Sequence, residues 1–500
     1  MSGAVNTPNQ EVAIPEFKQV MGHPAPLWML FMSEFWERFA FYGIRWAFVL
    51  YIVAQFYGGS PTGEAPASDT YGAYLALVYA AALFGGYVAD RVIGYQRSIL
   101  IGAIFMGSGL FMISMPDPML FKFGLATIIV GNGLFKPNIS TMVGKLYSAN
   151  DTRRDSGFTI FYMGINAGAM ISPIVTEYLA RKVFGIGDTP AYKVVFITAG
   201  IGMLISLVWF YFGRRILQGI GRPQEDAQSR MRMVYVAIGG VCAIPVFYFL
   251  LAIGADSLQW VLSSLFVVLS ILLLVEGVRT GPVARDKVIA MLLIFIFNIL
   301  FWMFFEQAGS SFTFLADKIV DRDLGFVVFK NAWFQSVNSV AIIVCAPLIA
   351  WIWVAMGKRN PSIPRKFGLG MIFNGLAFGL LMFALSHLVD AHNKIPFWTL
   401  FAVYWIQSIG ELCLSPIGLS MTTKLAPTRL VGLGMGGWFL STGMGNNLSG
   451  IFAKYVSGET GQSVQSALSG YTSAFYVLVA AGVGMFIIAP LIQKLMHGVK

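Results

Sequence analysis

Residues 33–45 read Ser-Glu-Phe-Trp-Glu-Arg-Phe-Ala-Phe-Tyr-Gly-Ile-Arg, inside an apolar run that extends from about residue 27 to 56. About 20 apolar residues are enough for a helix to cross the hydrocarbon core. Within this run stand four charges, Glu34, Glu37, Arg38 and Arg45. Each ionised side chain placed in hydrocarbon costs roughly 2.5–3.5 kcal/mol on insertion scales. Positions 34, 38, 41/42 and 45 recur at helical spacing and share one face, with Glu37 at its edge. Glu34 stands four residues before Arg38, a favourable pairing. Such a stripe needs other spans around it to make a polar interior. The bland alternative is an ion-pair cluster with a purely structural role.

The rest of the chain supplies those spans. Of its 500 residues 57% are hydrophobic and only 12% charged, against roughly 25% charged in soluble domains. Mean hydropathy is +0.70. Apolar runs near 27–56, 70–89, 98–114, 123–144, 157–179, 194–213, 233–253, 258–277, 288–315, 326–356, 367–387, 396–421, 430–453 and 470–493 make about fourteen candidate spans. The class expected is therefore an all-α integral membrane protein. The net charge of +10 sits mainly in short connectors, which fits membrane topology and not nucleic acid. With the N-terminus placed in the cytoplasm, about 22 Lys and Arg fall on the cytoplasmic side and about 9 on the other. Shifting the parity by one helix destroys this asymmetry. Both termini are expected inside, and the N-terminal stretch lacks the pattern of a cleaved signal.

Motifs for other chemistries are missing. Cys242, Cys345 and Cys413 lie in apolar runs, and His23, His387, His392 and His497 lie near span ends or loops. Neither set has metal-site or disulfide spacing. No nucleotide-binding loop, HExxH or GxSxG pattern occurs, so neither an ATP-driven pump nor an enzyme is expected, and no cofactor or metal.

The longest polar connector, 214–232, follows the sixth span. The expected organisation is a cytoplasmic tail at 1–26, a six-helix bundle at 27–213, a linker with two extra membrane helices at 214–287, and a second six-helix bundle at 288–500. GNGLFKPNISTMVGK (131–145) and GELCLSPIGLSMTTK (410–424) align without gaps, Pro137 on Pro416 and Lys145 on Lys424. That echo, in the fourth and tenth spans of two sixes, suggests a duplicated transporter with its site between the halves.

Further charges lie within spans: Lys136 beside Pro137, Glu306 in FWMFFEQAG, and Glu411 in GELCLSP. Together the buried set holds four carboxylates, Glu34, Glu37, Glu306 and Glu411, against three cations, Arg38, Arg45 and Lys136. One bound proton would balance them. No histidine lies mid-span, so a carboxylate must carry it.

At these residues the sequence becomes specific. GGYVADRVIGYQR (85–97) resembles the GxxxDRxxGxxR loop of the major facilitator superfamily. Glu34-Phe-Trp-Glu37-Arg38-Phe39 resembles the ExxERF motif of the proton-dependent oligopeptide transporter family. GNGLFKPNIS, FYMGINAGAMISP (161–173), FWMFFEQAG, FQSVNS (334–339) and GELCLSPIG resemble its other signatures, across both halves. The resemblance is to bacterial members. It implies the major facilitator fold, in the inner membrane, with both bundles in one working monomer set in membrane lipid.

The resemblance also implies roles. Glu34, Glu37 and Arg38 would couple protons. Arg45 and Glu306 would pair across the bundles on the outer side, Lys136 and Glu411 on the inner. Tyr42, Tyr79, Asn166, Trp302, Asn338, Ser415 and Trp438, with Arg45, Lys136 and Glu411, would line the substrate pocket. This suits a zwitterion: Arg45 and Lys136 for the carboxylate, Glu411, Asn166 and Asn338 for the ammonium, aromatics for varied side chains. Two departures stand out. The family's usual second tyrosine after ERF is Phe41 here, and the mid-span histidine of mammalian members is absent. The expected function is proton-coupled import of di- and tripeptides by alternating access. The alternatives are another small solute such as nitrate, a drug/proton antiporter, or a membrane enzyme or receptor.

Overall fold

Sixteen α-helices, separated mostly by short turns, make up the described chain. The computed structural model describes residues 14–148, 151–187, 189–223 and 230–499. Residues 1–13 of the expected tail, 224–229 of the long connector and Lys500, counted above among the cytoplasmic basic residues, lie outside the described residues.

The first half contains α1 (Ala25–Gly43), α2 (Arg45–Phe56), α3 (Glu64–Val88), α4 (Tyr95–Ile113), α5 (Pro118–Gly144), α6 (Arg154–Tyr178) and α7 (Tyr192–Gly213). Next come α8 (Arg230–Ala252) and α9 (Gly254–Thr280). The second half contains α10 (Pro282–Phe305), α11 (Ser311–Lys318), α12 (Trp333–Ala355), α13 (Ile363–His387), α14 (Phe397–Leu425), α15 (Val431–Ser457) and α16 (Val464–Leu495). Among the described residues, thirteen helical segments are long and apolar enough to cross a membrane. The 27-residue α15 is also long enough, but Asn446, Asn447 and Lys454 lower its apolarity. That matches the fourteen expected spans.

Three expected spans needed correction. Run 27–56 is two helices meeting at Ile44, and run 288–315 breaks at the tight turn Glu306–Gly309. Run 326–356 is helical only from Trp333. Residues 323–328 fold into a small turn, with Phe329 N donating to Arg322 O at 2.8 Å. Phe329 packs on Trp333, Phe334 and Phe397. Its apolar residues cap the bundle end, and hydropathy does not separate a cap from a span. Within the expected tail, Gln19–Val20 pairs antiparallel with His23–Pro24. His23 Nδ1 lies 2.8 Å from Tyr147 Oη, pinning this hairpin to the loop before α6.

Within the first half, α1 packs on α6 and α7, and α5 on α3 and α4. Within the second, α13 packs on α14 and α16, α10 on α15, and α12 on α14. The halves meet where α3 lies along α15 and α6 along α12. Backbones touch at the α3–α15 crossing: a Cβ on Gly72 would sit 2.6 Å from Gly450 Cα. The pair α8 and α9 lies outside both bundles, α8 against α5 and α9 against α15 and α10. It exposes large apolar side chains such as Val241, Phe249, Trp260 and Ile271, as a lipid-facing surface requires.

Residues 14–24 and 145–148 lie at one end of the bundle, the terminal end, and the opposite end is the distal end. Near the terminal end, Gly94 has a φ of +80°, and its missing Cβ leaves room for Pro223 N, 2.4 Å from where that carbon would stand. Only glycine meets both demands cheaply.

Candidate functional site

The charges of α1 lie inside the bundle. Glu34, Glu37 and Arg38 are almost fully buried. Arg38 grips Glu37 through both carboxylate oxygens: Nε contacts Oε2, and Nη2 donates to Oε1 at 2.6 Å. This bidentate fork is the strong form of the pair. Asn132 Nδ2 of α5 donates to the same Oε1 at 3.4 Å. Glu34 is held more loosely, with Oε1 3.4 Å from Arg38 Nε and Oε2 buried without a hydrogen-bond partner. Phe41 has its ring 4.9 Å from the Arg38 guanidinium. The departure from tyrosine thus leaves a stacking face and removes a hydroxyl.

About two helical turns beyond Arg38, both helix breaks become useful. Arg45 opens α2, directly after the break at Ile44, and Glu306 opens the turn after α10. The two meet across the halves, Nη2 to Oε2 at 2.6 Å, and Arg45 Nε also donates to Tyr71 Oη at 2.9 Å. Tyr42 lies between the two guanidiniums, its ring 6.0 Å from Arg38 and 5.9 Å from Arg45.

The other expected pair is not made. Among the described residues no carboxylate lies within 4 Å of Lys136, whose Nζ instead sits 4.7 Å from the Tyr79 ring. Glu411 Oε2 accepts from Asn338 Nδ2 at 3.2 Å, and Asn338 also donates to Ser408 Oγ at 2.8 Å. Lys136, Glu411, Asn338, Ser415, Tyr42 and Tyr79 all keep partial solvent contact. Open space thus remains around Lys136 and Glu411 in the middle of the bundle, while Arg45–Glu306 joins the halves toward the distal side.

Three expected pocket residues are occupied differently from a free lining. Trp302 donates its indole N–H to Asn298 Oδ1 at 3.0 Å, so only its ring is on offer. Trp438 is 5% exposed, edge-on to Phe295 and Phe367, and fills the space above Gly418. Asn166 spends Nδ2 on Tyr162 O at 3.0 Å, leaving its Oδ1 as the acceptor an ammonium needs.

Sequence reasoning missed the rest of the distal closure. Glu64, which lies between the expected spans 27–56 and 70–89, is 1% exposed and pairs with Lys318 of the other half. It also accepts from Gln462 N at 2.7 Å. Ser336 Oγ donates to Met170 O at 2.7 Å across the α6–α12 contact. The available signal was weak: opposite charges at span ends, far apart in sequence.

Fold and site together define a class: a multi-pass membrane carrier of two bundles, with charges of both signs sheltered between them and one end closed. The POT family's sequence model matches residues 96–469. The peptide transporter YePEPT of Yersinia enterocolitica is 33% identical over 97% of this chain and 98% of its own. Dipeptide and tripeptide permease A of Proteus mirabilis is 33% identical over 98% of this chain and 99% of its own. A crystal structure of the peptide transporter POT with sulfate superposes with a TM-score of 0.81 at 32% identity, covering 96% of this chain and 97% of that one. The chain belongs to the POT family, the proton-dependent oligopeptide transporters.

Proposed function

We propose that this protein carries di- and tripeptides into the cell together with protons, by alternating access, driven by the proton gradient alone. The observation that carries this reading is the asymmetry of the two gates. Arg45–Glu306 is closed toward the distal end, while Lys136 and Glu411 in the middle of the bundle make no ion pair with each other. A zwitterionic peptide presents a carboxylate and an ammonium, which suit those two groups. The peptide names of the relatives support the same substrate class. In this reading the distal end faces outside, both termini lie in the cytoplasm, and the membrane is the bacterial inner membrane. Both halves and both gates lie in one chain, so the monomer is the proposed working unit.

The cycle alternates two ion pairs. With the outer side open, Lys136 meets Glu411 and shuts the inner side. The peptide carboxylate competes for Lys136, and a proton taken up within the carboxylate set weakens the remaining pairs. Arg45–Glu306 then closes the outer side, and cargo leaves past Lys136 and Glu411. Opposed contacts of this kind make two discrete states. Within the α1 cluster Glu34 has room for the proton, since its Oε2 has no partner, whereas Glu37 is tied to Arg38 by both oxygens.

The drive is adequate. One charge moving through 100 mV supplies about 2.3 kcal/mol, and one pH unit about 1.4 kcal/mol. Together they support a gradient of roughly several hundred-fold. Competition during driven uptake tests the substrate class. Unlabelled dialanine should displace labelled dialanine, and alanine and nitrate should not. Equal displacement by nitrate would favour a simple anion carrier.

A further inference from the structure

The end of α7 and the connector after it build a site that transport does not use. Trp209, Tyr211 and Phe212 are exposed on the last turns of α7, where aromatic side chains mark a membrane–water interface. Arg214 and Arg215 follow in the tight turn Arg214–Leu217. The chain then returns to α4: Gln96 N donates to Gly221 O at 3.0 Å, and Gln96 Nε2 to Ile220 O at 2.7 Å. Those bonds hold Arg222 beside the start of α4. Arg97, Arg214, Arg215 and Arg222 thereby line one cavity of about 470 Å³. The Arg214 guanidinium stands over the Tyr211 ring at 4.5 Å, which fixes its direction. Arg215 and Arg222 are exposed to solvent.

A second cavity of about 550 Å³ shares Arg97, Tyr211 and Arg214 with the first. It lies between α4, α7 and the first turn of α8, with apolar walls of Leu100, Ile104, Leu207 and Val208 and with Arg230 of α8 as a further cation in its lining. Ile104 and Val208 are each more than half exposed, as apolar side chains facing hydrocarbon would be. A cationic chamber at the interface thus opens directly into an apolar groove that descends along the membrane face. This is the polarity profile of one phospholipid, phosphate above and acyl chain below.

We infer that these joined cavities hold one anionic glycerophospholipid, its phosphate on Arg214, Arg215 and Arg222 and an acyl chain along the α4–α7 groove. Guanidinium forks match phosphate oxygens, and basic pockets between membrane helices are suited to anionic head groups. A choline head group brings its own cation to an already positive chamber and is disfavoured there. Free phosphate would use the chamber but leave the groove without a role.

The test is native mass spectrometry of the delipidated full chain in detergent, titrated with phosphatidylglycerol or with phosphatidylcholine. The expected result is one retained phosphatidylglycerol, with at least a tenfold preference over phosphatidylcholine. The triple variant R214Q/R215Q/R222Q should lose that preference. Val208→Trp, which fills the groove and keeps every arginine, should weaken phosphatidylglycerol retention at least tenfold. Millimolar inorganic phosphate should not displace the lipid. Equal retention of the two lipids by the unaltered chain would overturn the proposal. So would an unchanged preference in the triple variant, or displacement by inorganic phosphate, which would make the site one for the free ion. If the triple variant fails to fold, Val208→Trp decides alone, and unchanged retention there rejects the lipid.

Discussion

Glu37 and Glu34 stand one turn apart yet meet Arg38 on different terms, one through both oxygens and one at 3.4 Å with an oxygen to spare. Replacing Glu37 with Gln keeps the shape but removes the charge that answers Arg38. Glu37→Gln is expected to lower accumulation driven by a pH gradient by about tenfold or more, the effect of about 1.4 kcal/mol. Peptide counterflow, which needs no net proton movement, should stay measurable. Loss of both together would make Glu37 structural. Lys136→Ala and Glu411→Ala should each cripple driven uptake, since each removes one pole of the middle chamber. Normal rates in either variant would remove the inner gate from the mechanism. These residues were legible in the sequence because a charge inside an apolar run is costly and so conspicuous. Glu64 was not. It lies in the polar stretch 57–69, and nothing in that context says that the fold buries it against Lys318.

Among the elements, α8 and α9 carried no readable chemistry in the sequence, and their packing is informative instead. The turn between them is tied to both halves. Asp69 of α3 accepts from Ala255 N at 3.0 Å, and Lys454 of α15 reaches Asp256 at 2.8 Å and Asp69 at 3.6 Å. Asn447 of α15 adds a bond to Ala255 O at 2.7 Å. The pair therefore clasps the α3–α15 contact at the distal end. Asp69→Ala leaves the partly buried Ala255 N–H without its partner, a loss of about 1–3 kcal/mol. A lowered thermal midpoint in detergent is the expected readout, and an unchanged midpoint would mean that the clasp carries no weight. Span positions were readable from hydropathy over most of the chain. The breaks at Ile44 and at Glu306–Gly309 were not, because the side chains around them stay apolar while the backbone alone changes course.

Across the whole molecule, the all-α membrane class and the fourteen spans were legible in composition and hydropathy. The conformational state was not legible. A sequence holds both gates at once, whereas this structure has Arg45–Glu306 made and Lys136 apart from Glu411. Which contact is formed depends on how the halves lean on each other, and that is a property of one state and not of the chain. In the proposed cycle peptide movement is coupled to protons through this chamber. The most direct test of that coupling is uptake of labelled dialanine into proteoliposomes with and without an imposed pH gradient. With the outside acidic, dialanine should accumulate well above its external concentration, and collapsing the gradient should bring it back to equilibrium. Equal uptake under both conditions would contradict proton coupling.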